Sequence, residues 1–530
     1  MIASYCLCIK SDHAARHFLP VGNLEQQRKQ PKMKNSRHLF LFLSFVFLSR
    51  IAVADRPNVL FIAVDDLRPE FGAYGADYIK SPNMDRIAKS GITFNRAYCQ
   101  QAVCSPTRSS LMTGTRPDTT KVWDLETHFR TALPNVVTLG QHFKNNGYFV
   151  QGMGKIYHGN FDDPPTWSVP WQTPKSQAYG LPENLALNVR TVAEKPDASA
   201  NKTGKKKKQA TPRNSRGPAF EGADVPDSTF QDGKVAELAV ATLKEISKKL
   251  EPFFLAVGFV KPHLPFVAPK KYFDLYDPSK IQLAPNNYRP HDAPEYAIQP
   301  GGEMRSYHGI PDGTIPDDLA RQLKHGYYAA ISYMDAQVGK LLDELESSGL
   351  ANNTIVVLWG DHGWKLGEHD AWCKHSNCEN DTNATLLLSV PGMKHAGARS
   401  NGIVEFVDIY PTLADLAGLS LPNHLEGTSF KGLLDKPQQA WKQAAFSQYP
   451  RSAGGNQIMG YSMRTDRYRF TAWVDRNDHT KVESIELYDH QSDPQENNNI
   501  ANEQDQKTLV EQLTEQWRAG WQNARPIGKL

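Results

Sequence analysis

The chain reads Asn58-Val59-Leu60-Phe61-Ile62-Ala63-Val64 and then Asp65-Asp66, so a nearly continuous apolar segment ends in two acids. A run of this length and composition is typical of a central strand that is buried on both faces of a parallel sheet. The two acids would then lie just beyond the carboxyl end of the strand. Open α/β sheets bind their ligands at that edge, which makes Asp65 and Asp66 candidate functional residues.

The same arrangement recurs three times. Helices are predicted from about Val136 to Gly147 with a cap at Asn135, from Gly233 to Leu250, and from about Asp317 to Ser347. Each helix is followed by a predicted strand, and each strand is followed by titratable residues. The strand Tyr148 to Gln151 leads to Lys155 and His158, the strand Phe253 to Val260 leads to His263, and the strand Thr354 to Trp359 leads to Asp361 and His362. The sequence therefore predicts an α/β fold with a large mixed, mostly parallel sheet sandwiched by helices, and one site at its edge.

Composition and charge bound the function. Of 530 residues, 40% are hydrophobic, which is enough to form a sizeable core. The formal net charge is +3, but residues 1 to 54 contain eight Lys or Arg against two acids, so the remainder carries −3. Because nucleic-acid binding requires a dense basic face, we expect no nucleic-acid partner.

Residues 33 to 54 have the organisation of a signal peptide. Basic residues precede an apolar run from Leu39 to Leu48, and Ala52-Val53-Ala54 follows as a cleavage site. The run is about half as long as a bilayer-spanning helix, so we expect no stable membrane anchor and an exported mature protein beginning near Asp55. The predicted destination is periplasmic or secreted, or lysosomal in a eukaryotic source. Residues 1 to 32 are interpreted as a mis-assigned start; the alternative is a genuine extension that leaves an uncleaved anchor.

The mature chain divides into two predicted parts. Residues 55 to 443 form the catalytic domain, and residues 444 to 530 a smaller C-terminal α+β subdomain with strands near Met459 to Thr465 and Arg467 to Trp473. Within the catalytic domain, residues 195 to 216 are Lys-rich and lack periodicity, which indicates a disordered basic surface insertion. The alternative for this insertion is attraction of a polyanionic substrate.

The segment Cys104-Ser105-Pro106-Thr107-Arg108 is the strongest candidate for reactivity. Ser105 can cap a helix and Pro106 can occupy its first turn, which would place Cys104 at a positive helix end. Such a position binds anions and lowers the pKa of a thiol, so the residue is either a nucleophile facing an anionic substrate or a buried cysteine. Two other cysteines, Cys373 and Cys378, are close enough in sequence to form one disulfide.

Here the sequence resembles the type I sulfatases of the alkaline phosphatase superfamily, whose signature is C-x-P-x-R. Most of the companion motifs follow predicted strands, and the resemblance runs from about Arg56 to Asn502. These motifs are Asp65-Asp66, Gly154-Lys155-Ile156-Tyr157-His158, Lys261-Pro262-His263, Gly360-Asp361-His362-Gly363, and Lys374 after Trp372-Cys373. Within the family the chain is most similar to the enzymes that remove the 2-O-sulfate of iduronate, in segments such as Ser447-Gln448-Tyr449-Pro450-Arg451.

The resemblance implies a mechanism. Cys104 would be converted to formylglycine by a maturation enzyme, and one hydroxyl of its hydrate would attack the sulfur of a sulfated oligosaccharide. His263 would protonate the departing sugar oxygen, and His158 would accept the proton of the second hydroxyl. Arg108, Lys155 and Lys374 can neutralise the sulfate. The expected metal is Ca²⁺, or Mg²⁺, with ligands Asp65, Asp66, Asp361, His362 and residue 104; the carboxylates suit a hard cation better than the imidazole does.

Two other functions stay open from the sequence. A phosphonate or phosphodiester hydrolase can use the same kind of site, although the lysines suit a monoanionic sulfate with one metal. If Cys104 remained a thiol, the protein would bind sulfated glycans without turnover. Trp364 and Trp372 could either stack on a sugar ring or simply pack in the interior.

Overall fold

The computed structural model describes residues 56–189, 216–299 and 302–526. The segment predicted to be a signal peptide, the residues before it and the predicted basic insertion up to residue 215 lie outside the described ranges. The strands within these ranges are β1 (Asn58–Val64), β2 (Ile92–Phe94), β3 (Ala97–Tyr98), β4 (Phe149–Gly154), β5 (Arg216–Pro218), β6 (Phe220–Ala223), β7 (Phe253–Phe259), β8 (Phe266–Pro269), β9 (Tyr307–His308), β10 (Thr354–Gly360), β11 (Leu386–Ser389), β12 (Ala398–Ser400), β13 (Val404–Glu405), β14 (Ala444–Ala453), β15 (Asn456–Thr465), β16 (Tyr468–Asp475) and β17 (Val482–Asp489).

The α-helices in the same ranges vary from one turn to 31 residues. They are α1 (Pro82–Ser90), α2 (Cys104–Thr113), α3 (Pro117–Thr120), α4 (Leu139–Asn145), α5 (Pro182–Val189), α6 (Gln231–Ile246), α7 (Lys270–Phe273), α8 (Asp317–Ser347), α9 (Glu379–Thr382), α10 (Ile409–Leu416), α11 (Gly432–Asp435) and α12 (Lys507–Asn523).

The main sheet confirms the predicted fold class. Its strand order is β12-β2-β11-β10-β1-β7-β4. Strand β1 pairs in parallel with β10 and β7, β7 with β4, and β2 with β12, whereas β11 is antiparallel to both of its neighbours. The four strands that were expected to end in titratable residues are therefore adjacent and parallel. Their carboxyl ends meet at one edge of the sheet.

Helices cover both faces of this sheet. Alternate side chains of β1 belong to different cores: Leu60 and Ile62 pack with residues of α6 and α8, and Phe61 and Ala63 pack with residues of α2, α4 and α10. Every residue of β1 is buried, as expected for a strand covered on two sides. The layers hold the carboxyl ends of the strands in fixed positions.

The helix predictions were accurate for α8 and less so for the others. Helix α8 has the predicted bounds, and α6 begins two residues before the prediction. The predicted cap at Asn135 is wrong, because α4 begins at Leu139 behind a capping box formed by Thr138 and Gln141. The C-x-P-x-R segment forms the start of helix α2, and Cys104 is its first residue. The cap position is occupied by Val103 and not, as predicted, by Ser105.

The C-terminal region contains a four-stranded antiparallel sheet, β14-β15-β16-β17, and helix α12. Strand β14 begins at Ala444, where the sequence placed the start of the subdomain. Phe470 and Val474 of the sheet share a small core with Leu513 of α12. Among the described residues, no helix is both long and apolar enough to cross a membrane.

Candidate active site

The carboxyl ends of β1, β4, β7 and β10 bring the predicted site residues together. The Asp65 N–H donates to the carbonyl oxygen of Phe259 at 3.2 Å, and the Asp361 N–H donates to that of Val64 at 3.0 Å. Hydrogen bonding between the strands thus continues to the first functional residue. Asp65, Asp66, Asp361 and His362 are all completely buried there.

Asp66 has a backbone conformation that two other residues fix. Its φ of 58° lies in the left-handed region, which is unfavourable for most side chains. The Asp66 N–H donates to Oδ1 of Asp361 at 3.0 Å, and the Tyr327 hydroxyl donates to the Asp66 carbonyl oxygen at 2.7 Å. Tyr327 was not among the site residues predicted from the sequence.

Cys104 lies at the centre of the cluster. Its thiol donates to Oδ1 of Asp65 at 3.3 Å, and its Sγ is 3.4 Å from Nε2 of His362 and 3.7 Å from Nζ of Lys155. The sequence predicted a lowered thiol pKa at this helix end. That expectation is wrong for the unmodified residue, because burial and the Asp65 carboxylate raise the pKa of Cys104 well above its usual value.

The cluster has the donor set of a hard divalent cation. One ligand atom each from Asp65, Cys104, Asp361 and His362 lies within 4.8 Å of the others, and the same is true of Asp65, Asp66, Cys104 and His263. Three buried carboxylates supply oxygen ligands of the kind that Ca²⁺ and Mg²⁺ prefer. The residues present therefore fit such an ion, with His362 as the softer contributor.

Arg108 contacts the carboxylates of the cluster. This fully buried side chain donates from Nε to Oδ2 of Asp361 at 2.9 Å and from Nη2 to Oδ1 of Asp65 at 3.3 Å. Its Nη1 donates to the carbonyl oxygens of Lys155 and Ile156. Arg108 thus holds two acids of the cluster in place, and its contact with sulfate stays a prediction.

Two lysines place positive charge near the cysteine. Lys155 pairs with Asp65, and Nζ of Lys374 lies 3.1 Å from both carboxylate oxygens of Asp66. Burial alone would lower the pKa of Lys374, but the Asp66 and Glu303 carboxylates raise it well above its usual value. Both ammonium groups are therefore charged beside Cys104.

His263 is held between a carbonyl group and three acids. Its Nδ1 is 2.6 Å from the Leu264 carbonyl oxygen, so Nδ1 carries a hydrogen and Nε2 is directed toward the cluster. Nε2 lies 4.0 Å from a carboxylate oxygen of Asp65 and of Asp66, and 3.4 Å from Oε2 of Glu303.

Glu303 is the site residue that sequence analysis missed. Its Oε2 contacts both His263 and Lys374, the latter at 3.3 Å, and its Oε1 lies 2.7 Å from Nη1 of Arg216. Although burial opposes ionisation, His263 and Lys374 lower the pKa of Glu303 well below its usual value. No motif surrounds this acid, and it follows no predicted strand, so the sequence alone carries no signal for it.

His158 lies beside the cluster without a hydrogen bond to it among the described residues. Burial and the nearby Lys155 charge lower the pKa of His158 to about 4. Its buried Nδ1 has no hydrogen-bond partner within the described part of the chain. The imidazole is therefore neutral at neutral pH and retains a free acceptor.

The predicted disulfide is wrong, and of the two alternatives for the tryptophans the structure agrees with packing. Cys373 and Cys378 are both buried free thiols, and the Cys373 thiol donates to the Gln299 carbonyl oxygen at 3.1 Å. Trp364 and Trp372 are buried at 0% and 4% exposure, so they pack in the interior and are not available to a sugar ring. Trp364 instead lies under Lys374, whose Nζ is 4.9 Å from the ring centroid.

Comparison with known proteins gives consistent results over nearly the whole described chain. The profile of the sulfatase family matches residues 57–419, and that of the N-sulphoglucosamine sulphohydrolase C-terminal region matches residues 367–522. Iduronate 2-sulfatase of Mus musculus is 34% identical over 537 residues, covering 87% of this chain and 94% of the relative. Its Homo sapiens counterpart is 34% identical and covers 85% and 92%.

Solved structures share the fold. The phosphonate monoester hydrolase of Silicibacter pomeroyi superposes with a TM-score of 0.70 over 89% of this chain and 96% of its own, at 19% identity. A putative sulfatase from Bacteroides thetaiotaomicron has a TM-score of 0.67 at 22% identity, covering 88% of this chain and 92% of its own. These two similarities concern the architecture alone.

Proposed function

We propose that this chain, which belongs to the sulfatase family of sulfuric ester hydrolases, removes the 2-O-sulfate from a terminal uronic acid of a sulfated glycan. The observation that carries the proposal is the position of Cys104, which contacts Asp65, His362 and Lys155 at once. The choice of substrate is supported by the relatives named iduronate 2-sulfatase, which are 34% identical over most of the chain.

The reactive group would be formylglycine at position 104. As a hydrate, it supplies a hydroxyl nucleophile and a second hydroxyl whose deprotonation releases the sulfate. Asp65, Asp66, Asp361, His362 and residue 104 would hold Ca²⁺ or Mg²⁺, which polarises the sulfate as a Lewis acid. Arg108 keeps two of these carboxylates in position through its bonds to Asp65 and Asp361.

The two lysines and the two histidines have distinct roles in the proposal. Lys155 and Lys374 neutralise the sulfate oxygens near residue 104, where both already lie next to acids of the cluster. His263 donates a proton from Nε2 to the departing sugar oxygen, which is a poor leaving group as an alkoxide. His158, neutral and with a free acceptor, accepts the proton of the second hydroxyl.

Glu303 orients two of these groups. Because its Oε2 contacts both His263 and Lys374, it fixes the distance between the proton donor and one of the sulfate-binding cations. We assign it a positioning role, since it acts through those side chains.

The decisive experiment is the mass of the peptide that contains residue 104, together with the Cys104→Ala variant. Conversion to formylglycine lowers the mass by about 18 Da, and Cys104→Ala should abolish hydrolysis of an aryl sulfate while the protein stays folded. Cys99→Ala is the matched control, since Cys99 is also buried but donates only to the Asp381 carbonyl oxygen. An unmodified Cys104 would contradict the proposal and leave a glycan-binding protein, and undiminished activity of Cys104→Ala would refute residue 104 as the nucleophile.

Export and maturation are the remaining parts of the proposal. We place the protein in an exported compartment, periplasmic, secreted or lysosomal, on the basis of residues 33 to 54, and we expect it to meet a formylglycine-generating enzyme before or during export. Terminal sequencing of the mature protein should give a start near Asp55. A mature protein that retains residues 33 to 54 would contradict the cleavable signal.

A further inference from the structure

A cavity of about 440 Å³ lies apart from the candidate active site. It is formed by the segment before α1, by residues 275–282 and by one face of α8. The side chains used in the argument are three tyrosines and three lysines: Tyr78, Tyr276, Tyr328, Lys80, Lys280 and Lys324. None of the residues assigned to the active site above lines this cavity. Its volume is within the range of small-molecule sites.

The three tyrosines form one wall of the cavity. The ring of Tyr328 lies 5.7 Å from that of Tyr78 and 5.7 Å from that of Tyr276, measured between centroids. Tyr78 is 53% exposed although its hydroxyl donates to Glu70 at 2.6 Å. The hydroxyl groups are thus fixed from behind, while ring surface remains accessible. Such a surface suits the apolar face of a sugar ring.

Lys324 is the buried cation of this cavity. Only 6% of the residue is exposed, and its ammonium forms no ion pair or hydrogen bond with another described residue. The nearest acidic charges are Glu70 and Glu368, and both are paired with Arg68, at 2.9 and 3.0 Å. Burial lowers the pKa of Lys324. The ammonium faces the Tyr328 ring, whose centroid lies 5.9 Å from Nζ, but it has no anionic partner among the described residues. A buried ammonium without an anion is costly, and an anion in the cavity would offset that cost.

The other charges favour an anion as well. Lys80 and Lys280 add two ammonium groups, and Lys280 is 83% exposed at the rim. Asp277 is the acid in the wall: its carboxylate accepts hydrogen bonds from the N–H and hydroxyl of Ser279 and pairs with Lys280 at 3.6 Å, so Lys80 and Lys324 supply the net positive charge. The cavity therefore combines a net positive lining with an aromatic wall.

We infer that this cavity is a second binding site for an anionic sugar unit, whose sulfate or carboxylate group contacts Lys324 while its ring packs on the tyrosine wall. The inference rests on the proposed function only in the choice of a glycan as the ligand. Such a site would bind a sulfated chain at a distance from the sulfate that is cleaved.

The test is a binding titration with a heparin-derived sulfated tetrasaccharide. The titration uses the Cys104→Ala protein, which is expected not to turn the ligand over. Adding Lys324→Met to this protein should abolish one binding event or weaken the affinity for the tetrasaccharide at least tenfold. Lys280→Ala and Tyr78→Ala change exposed groups, so they keep the fold and should each weaken binding severalfold. Lys248→Met is the matched control, because Lys248 is an exposed lysine outside the cavity. Unchanged binding in Lys324→Met and in both exposed variants would overturn the inference.

Two further measurements distinguish a sugar-bound anion from a free one, and the second binding site from the proposed function. Inorganic sulfate should bind at this site more weakly than the tetrasaccharide, and equal affinity would overturn the assignment to a sugar. In the protein with Cys104 intact, Lys324→Met should leave hydrolysis of a small aryl sulfate unchanged. If the unsubstituted protein hydrolyses no sulfate ester, the proposed function fails, while the loss of tetrasaccharide binding in Lys324→Met would still support the second site.

Discussion

Among the described residues, two separate clusters of acids have spacings that could hold a metal ion, and they differ in the positive charge that surrounds their carboxylates. The active-site cluster contains Asp65, Asp361 and His362 with Cys104, and the C-terminal cluster contains Glu379, His490 and Glu496. In the C-terminal cluster Arg469 pairs with both glutamates, and Arg464 adds a second guanidinium at 3.1 Å from Glu379.

The difference is visible in the pKa values of the acids. In the C-terminal cluster, Arg469 and Arg464 outweigh burial and lower the pKa of Glu379 to about 2. In the active-site cluster, the two acids that Arg108 contacts differ. Burial raises the pKa of Asp361 even though Arg108 contacts it. The positive charge around Asp361 is thus insufficient to offset the effect of burial on its pKa.

Although burial opposes ionisation, Lys155, His263 and Arg108 lower the pKa of the second acid, Asp65, well below its usual value. Two arginines contact the two glutamates of the C-terminal cluster, whereas one arginine, Arg108, is shared by two carboxylates of the active-site cluster. A cation bound in the active-site cluster would therefore add charge that Asp361 lacks.

The largest expected effect comes from Asp361→Asn. Loss of a metal ligand should reduce kcat/KM for an aryl sulfate by about a thousandfold or more, because the transition state loses electrostatic stabilisation. Glu379→Gln, the equivalent change in the C-terminal cluster, should leave kcat/KM of the folded protein nearly unchanged. Equal losses in the two variants would show that the clusters do not differ in function.

Arg469→Met should have the opposite profile. Removing the arginine leaves Glu379 with Arg464 and Glu496 with His490 but takes away the guanidinium that both glutamates share, which should lower the free energy of unfolding by about 3 to 5 kcal/mol. Urea unfolding measures this change, and the activity of the folded fraction should be retained. A variant as stable as the unsubstituted protein would refute the structural role of the C-terminal cluster.

His263→Ala separates proton donation from sulfate binding. The variant should lose about a hundredfold in rate on a sugar sulfate and much less on an activated aryl sulfate, whose leaving group needs little protonation. The ratio of the two rates is the relevant measurement. If both substrates lose equally, His263 is not the proton donor.

Glu303→Gln should give a smaller loss of the same kind. The amide keeps the shape but removes the charge that fixes His263 and Lys374, so we expect about a tenfold decrease in kcat for a sugar sulfate with a smaller change in KM. Glu303→Asp should recover part of the loss. A change in thermal stability alone, with kcat intact, would argue against a positioning role.

The smallest effect is on the acid dependence of stability. The pKa of Glu379 is about 2 in the folded protein against a usual value of 4.5, so its ionised form stabilises the fold above pH 4.5. This contribution is lost as the pH falls from about 4.5 to about 2. Glu379→Gln should therefore reduce the dependence of unfolding free energy on pH in this window. An unchanged dependence would show that the Glu379 pairing contributes no net stability.

The sequence predicted the fold and most of the site because the informative residues follow buried strands. The apolar run of β1 and the acids after it define the central strand and the candidate metal-ligand pair. The length of α8 follows from its long apolar stripe. The start of α4 was misplaced because Asn135 and Thr138 are both good caps, and only the pairing of Thr138 with Gln141 decides between them.

What the sequence could not predict depends on contacts between distant segments. Glu303 has no local pattern, and its role follows only from its distances to His263 and Lys374. The raised pKa of the Cys104 thiol results from the depth of burial and from Asp65, which outweigh the helix end. Lys324 reads as an ordinary helical lysine, and only the three-dimensional packing buries it without an anion.

Calcium binding to the purified protein tests the central claim most directly. Equilibrium dialysis with Ca²⁺ should give one tightly bound ion per chain for the unsubstituted protein and for Glu379→Gln, and none for Asp361→Asn. An active protein that binds no divalent ion, or an ion that persists in Asp361→Asn and disappears in Glu379→Gln, would contradict the account.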